Sequence, residues 1–136
     1  MQTLKFTIPI KPVTKKNHSN IVTLKTGRTI LLPSKAYIAF EKEVCKFIKE
    51  RFGTRFNPID FPINVQAIYY QDSNRRADLC NYHAALHDSL VKANLIKDDN
   101  FKIIASTDGS RVKVDKDNPH IDVVITMIDM KGECID

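Results

Sequence analysis

Between Ile63 and Ala93 the spacing of apolar residues changes period once, and that change sets the class of fold. Ile63, Val65, Ala67 and Tyr69 recur at every second position, the spacing of a strand with one face against a core. Leu79, Tyr82, Leu86, Leu90 and Ala93 recur at intervals of three and four, which makes one stripe along a helix lying on that sheet. Asn94 can close the helix. The polar stretch Gln71-Asp72-Ser73-Asn74-Arg75-Arg76-Ala77-Asp78 joins the two.

The flanking sequence supplies the rest of a sheet. Leu4, Phe6, Ile8 and Ile10 alternate with polar residues and are punctuated by Pro9 and Pro12, as in a half-buried first strand. Ile21 to Leu24 and Thr29 to Leu32 flank Lys25-Thr26-Gly27-Arg28, a hairpin whose turn needs Gly27 at positive φ and whose tip is basic. Ser34 after Pro33 is an N-cap for a first long helix carrying Tyr37, Phe40, Val44, Phe47 and Ile48 up to Gly53. Past a Lys97 to Asn100 loop, the pattern predicts a short strand over Phe101 to Ala105. An excursion through Val112 to Val114 follows between Asp108-Gly109 and Asp117-Asn118-Pro119, and a last strand over Ile121 to Ile128. The order β, hairpin, α, β, α, β, β gives one α/β domain with a mixed sheet and two main helices over residues 1–136. The tail 130–136 is expected to fray.

Composition narrows the class further. At 136 residues, 43% hydrophobic and 27% charged, the chain suits one core. No run of about 18 apolar residues is present to span a bilayer, and the alternating start is unlike a signal peptide. A soluble, cytoplasmic protein is expected. Cys45, Cys80 and Cys134 are odd in number and scattered, so neither a disulfide framework nor a four-thiolate zinc site is indicated.

The net charge of +5 is unevenly placed. Residues 1–40 hold Lys5, Lys11, Lys15, Lys16, Lys25, Arg28 and Lys35 and no acid; the remaining 14 basic residues (21 less 7) face 16 acidic ones. A cationic, acid-free third points to an anionic partner, nucleic acid first, because Lys and Arg neutralise phosphate. A merely solvated surface is the alternative.

Acidic residues gather around the second helix. Asp78 stands at its start, and Asp98 and Asp99 follow its end. A helix of about 14 residues is about 21 Å long, so the two acidic loops cannot meet at one end of it unless the fold or a second subunit joins them. Carboxylates beside Arg75 and Arg76 suit Mg²⁺-assisted phosphodiester hydrolysis, with the cations positioning the strand. The plain alternatives are an N-cap for Asp78 and a polar turn for Asp98-Asp99-Asn100. Asp88 and Lys92, four apart and roughly opposite the core stripe, are expected as a helical ion pair contributing roughly a few tenths of a kcal/mol. Cys80, His83 and His87 offer a zinc reading, but Cys80 and His87 are about 10 Å apart along the axis, and no fourth ligand is spaced to join them. Two surface histidines and a half-buried thiol are the expectation.

The block Arg75-Arg76-Ala77-Asp78-Leu79-Cys80-Asn81, the segment Asp88-Ser89-Leu90-Val91-Lys92-Ala93 and Asp98-Asp99 resemble the RusA family of Holliday junction resolvases, endodeoxyribonucleases common in prophages. The likeness extends in outline over nearly the whole chain, with Lys15, Lys16 and Asn17 in an Asn-bearing basic loop. The resemblance implies a RusA-like fold and a homodimer that binds four-way DNA junctions in recombination and repair and cuts them with Mg²⁺ or Mn²⁺. It implies Asp78 and Asp99 as catalytic metal ligands with Asp98 beside them. Lys15, Lys16, Asn17, Lys25, Arg28, Arg75 and Arg76 are the expected DNA contacts. Two positions depart from the family: Cys80 stands where it has a second Asp, and a thiol is a poor ligand for Mg²⁺; Ala84 stands where it has a lysine. Asp88 or Asp98 can replace the carboxylate, and Lys15, Lys16 or Lys92 the cation. Without such compensation the chain is a junction-binding protein that cuts poorly or not at all.

Overall fold

The computed structural model describes residues 3–15, 20–53 and 57–129. The chain forms β1 (Thr3–Ile8), β2 (Asn20–Thr23), β3 (Thr29–Leu32), α1 (Lys35–Phe52), β4 (Ile63–Gln71), α2 (Leu79–Lys92), β5 (Ile104–Ser106), β6 (Arg111–Val114) and β7 (His120–Met127). The expected α/β domain with a mixed sheet and two helices is what is found. Lys16, Asn17 and the 130–136 tail lie outside the described residues.

The main sheet runs β1-β7-β4, with β5 and β6 both along the far side of β4. β7 is antiparallel to β1 (Ile8↔Ile121) and to β4 (Ala67↔Val123). β5 and β6 run parallel to β4, at Ile63–Asn64 and at Ile68–Gln71. β4, α2 and β5 therefore make a βαβ unit, the helix carrying the chain back for a parallel pairing. Between β5 and β6 the edge breaks at Gly109, φ 87°, and side chains take over from the ladder. Asn64 bonds the backbone of Asp108 through both its oxygen (2.8 Å) and its nitrogen (3.2 Å), and Ser110 Oγ accepts from Ala67 N–H at 3.0 Å.

Alternation decides the buried face. Phe6 and Ile8 of β1, Val65, Ala67 and Tyr69 of β4, and Ile121, Val123 and Ile125 of β7 share one core with Tyr37, Phe40, Val44 and Ile48 of α1 and Tyr82, Leu86 and Leu90 of α2. The other positions of β4 and β7, Gln66, Ile68, Tyr70, Asp122 and Val124, are half-buried on the opposite face. α1 begins as its sequence requires: Ser34 Oγ accepts from Tyr37 N–H at 3.1 Å. It stops at Gly53, φ 81°. Asn94, at φ 61°, ends the turn after α2, because an Asn side chain tolerates the left-handed region.

Several boundaries differ from the pattern. β1 stops at Ile8, since Pro9 removes a donor and Ile10 N–H turns back to Ile8 C=O at 2.8 Å. The strand expected at Phe101 to Ala105 begins three residues later. Asn100 instead organises a turn, its side chain accepting from Lys102 N–H and its carbonyl from Ile103 and Ile104, which leaves Phe101 in solvent. His83 and His87 are not surface residues. Both point toward the side of α2 next to β4, where His83 Nδ1 lies 2.7 Å from Tyr69 Oη and the two imidazoles stack at 5.1 Å. Cys80, expected half-buried, is exposed.

Candidate functional site

α2 rises from the carboxyl end of β4, the end of a strand where open α/β sheets place ligands. The intervening loop is held from inside. Buried Gln71 donates through Nε2 to the carbonyls of Ser73 (2.9 Å) and Arg75 (2.7 Å), and its Oε1 accepts from Tyr82 Oη at 2.7 Å. One glutamine thus fixes the path that presents Arg75 and Arg76, both exposed. Tyr82→Phe leaves Gln71 Oε1 buried without its donor; the expected loss is about 1–2 kcal/mol of stability in denaturant unfolding. The same variant is expected to loosen the Arg75 loop, read as faster amide exchange over residues 72–77.

Asp78 occupies the N-cap position of α2, with φ −85° and ψ 126°, yet its side chain makes no capping bond. The carboxylate is exposed and is approached only loosely by Asn81 Nδ2, at 3.5 Å. The basic N-terminal segment crosses here, Lys15 N–H donating to Asn81 C=O at 3.3 Å. Asn81 and Asp88 are seven residues apart and so share a face of α2. Lys15 reaches along that face and its ammonium pairs with Asp88 Oδ2.

The expected Asp88–Lys92 pair does not form. Lys92 Nζ pairs with Glu41 Oε1 on α1 at 2.7 Å, and Asp88 is taken by Lys15 and by Tyr37 Oη at 3.2 Å. Tyr37 Oη also donates to Glu41 Oε2 at 2.9 Å. Exposed i,i+4 pairs are weak, so contacts from other elements displace this one. Residue pattern placed Tyr37 only on the apolar stripe of α1 and did not single out Glu41; their i,i+4 spacing is the local signal that could have paired them. The Lys92–Glu41 contact holds the ammonium above its ordinary pKa, through the hydrogen bond first and the charge second.

The loop after α2 brings Asp99 back alongside the helix. Its carboxyl is held above the usual carboxylate range by partial burial, by the neighbouring Asp98 and by the negative charge of Asp88. The second acidic loop therefore meets α2 at Asp88 rather than at Asp78, which lies ten residues and about 15 Å of helical rise away. Asp98 serves the loop itself. Its oxygens accept from Asp99 N–H (2.7 Å) and Asn100 Nδ2 (3.0 Å), and these bonds lower its pKa.

Asp78, Asp98 and Asp99 are thus not gathered into one ligand set. Among the described residues no three His, Cys, Asp or Glu side chains converge as ligands for a metal ion. What the protomer brings together is the carboxylate pair Asp88 and Asp99 with Lys15 against it. A carboxyl held protonated more readily by burial and by neighbouring acids, as Asp99 is, is relieved by a divalent cation as well as by a proton, so Asp99 beside Asp88 suits a hard cation with open positions. Cys80 stays on the exposed face of the first turn, and Ala84 one turn on is half-buried. His83, His87 and Cys80 do not form a zinc centre. Among the described residues the two buried imidazole Nε2 atoms have no hydrogen-bond partner, and Cys80 is on the outside.

No protein-family model and no curated protein matches the chain. Among the described residues no helix is long and apolar enough to cross a membrane.

Proposed function

We propose that the protein is a metal-dependent, structure-selective endodeoxyribonuclease that acts as a homodimer on four-way DNA junctions. The observation that carries the reading is the Asp88–Asp99 carboxylate pair, set beside Lys15 at the junction of the acid-free N-terminal segment and α2. Of the ligands that the resemblance to RusA-type resolvases implies, the pair retains Asp99; Asp88, about 12 Å of helical rise from Cys80, stands in as its partner in place of Asp78. Lys15 supplies a cation near the position left neutral at Ala84.

Asp88 and Asp99 would hold Mg²⁺ or Mn²⁺, which when bound lowers the pKa of water and offsets charge on a phosphodiester. Lys15 then has two roles. It neutralises Asp88 in the free protein, and with a cation held by Asp88 and Asp99 its ammonium would be available to a phosphate oxygen. Arg75 and Arg76, on a loop fixed by Gln71, bind flanking phosphates and set the strand's register. Asp78, uncapped and exposed about 15 Å along the helix, faces a different part of the substrate. In a dimer it is available to a second acidic loop.

The test is cleavage of a synthetic four-way junction and of a linear duplex in Mg²⁺ or Mn²⁺, with EDTA as the control. The reading expects symmetric nicking of the junction that EDTA abolishes and that the duplex does not undergo. Junction binding with no cleavage in either metal ends the enzyme claim.

A second reading, a non-catalytic junction-binding protein, is favoured by exposed Cys80 and uncharged Ala84 at positions where the family has Asp and Lys. On that reading Cys80→Asp combined with Ala84→Lys brings cleavage up from near nothing. Wild-type protein that already cuts efficiently removes it.

A further inference from the structure

The β2–β3 hairpin stands apart from the core. None of the side chains of residues 21–32 is buried, and Ile21 and Leu31, directly opposite each other in register, are 73% and 67% exposed. Thr23 and Thr29 pair on the same face. The turn is closed by Gly27 N–H to Leu24 C=O at 2.9 Å and Leu24 N–H to Arg28 C=O at 2.8 Å. That turn places Lys25 and Arg28 together at the tip, both exposed. A lone two-stranded ribbon is marginal in water, and an exposed apolar pair on it calls for a partner.

We infer that this hairpin is a DNA-reading arm: a ribbon that enters a groove of duplex DNA, with Lys25 and Arg28 on the phosphates and the Ile21, Thr23, Thr29 and Leu31 face against the base edges. The inference rests on the nucleic-acid reading above and adds the element that makes contact. A major groove about 12 Å wide admits a two-stranded ribbon, and Thr hydroxyls and apolar side chains are among the groups that contact base edges and thymine methyls there. Charge selects this partner over a second copy of the chain. Residues 1–40 carry seven basic side chains and no acid, so two arms brought together about a two-fold axis set like charges face to face. The apolar groove along α1, floored by Ile38 and Cys45, is rimmed by four lysines against two acids, Glu41 and Glu50, a net positive rim that does not favour a basic arm.

Residues 21–32 lend no buried side chain to the domain, so substitutions among them leave the fold intact. Full-length wild type, Lys25→Ala/Arg28→Ala and Ile21→Ser/Leu31→Ser are compared by fluorescence anisotropy on a four-way junction across a salt series. Sedimentation velocity without DNA reports their mass. Loss of the two tip cations is expected to flatten the slope of log K against log salt by about 1.8, two phosphates at about 0.9 each. Loss of the apolar pair is expected to weaken binding about tenfold with the slope unchanged. Wild-type affinity and slope in either variant overturns the inference while leaving the nucleic-acid reading standing. A drop in mass for Ile21→Ser/Leu31→Ser makes the face a self-contact and overturns it as well. Wild-type protein that binds no DNA overturns both.

Discussion

Asp99→Asn is expected to lower metal-dependent junction cleavage by a factor on the order of 10²–10³ while leaving junction binding within a fewfold of wild type. The substitution keeps an oxygen in place but removes the charge that would share a cation with Asp88. Asp88→Asn is expected to act similarly on cleavage and differently on binding. It frees Lys15, whose ammonium is then available to phosphate in the absence of metal, so binding in EDTA tightens. Single-turnover cleavage with protein in excess, measured beside anisotropy in EDTA, separates the two. Asp99→Asn that cuts at the wild-type rate removes the carboxylate pair from the chemistry. If instead only Asp78→Asn abolishes cleavage, the ligands are assembled across the dimer from Asp78.

Acid sensitivity gives the second large effect. Burial, with the stacked His83 adding to it, pushes the imidazole of His87 down to about 4. In the unfolded chain it titrates near its ordinary value of about 6.5. Above that value both states are neutral and His87 contributes nothing to pH dependence. Between about 6.5 and 4 the unfolded chain binds a proton that the folded chain refuses, so stability falls as pH falls and levels off below the folded value. At pH 4.5 the difference amounts to about 2.5 kcal/mol. His87→Leu removes it. In metal-free urea titrations the variant is expected to match or exceed wild type at pH 7.5 and to lead it by about 2.5 kcal/mol more at pH 4.5. Parallel curves over that range mean that the imidazole is protonated in the folded protein. His83 shifts in the same direction, also through burial, and steepens the wild-type curve.

Residue spacing carried the architecture where one face had to be buried. Ile63 to Tyr69 and Leu79 to Ala93 announce β4 and α2 because a one-residue error would turn their apolar sets into water. The strand near residue 104 was displaced because its start depends on Asn100 closing a turn and on the free edge of β4, neither of which alters local periodicity. His83 is buried by a hydroxyl delivered from β4, and the pairing of Asp88 with Lys15 joins residues 73 apart in sequence. Such partners leave no trace in a helix's own sequence, whereas the i,i+4 rule sees only neighbours on that helix. For the same reason the acidic block at Asp78, Asp98 and Asp99 was visible as residues but not as a geometry. Asp88, noted only as a possible substitute, proved to be the carboxylate that Asp99 meets.

The strand order has a consequence for how the molecule is made. β7 lies between β1 and β4, so the second strand edge that each central pairing requires arrives with residues 120–127. Until those residues leave the ribosome, Thr3–Ile8 has no neighbour in the sheet, its partners being Ile121 to Thr126. Folding must close a loop of more than a hundred residues before β1 is paired, the kind of long-range closure that slows folding. The first strand therefore stays unpaired until β7 is made, more than a hundred residues after it.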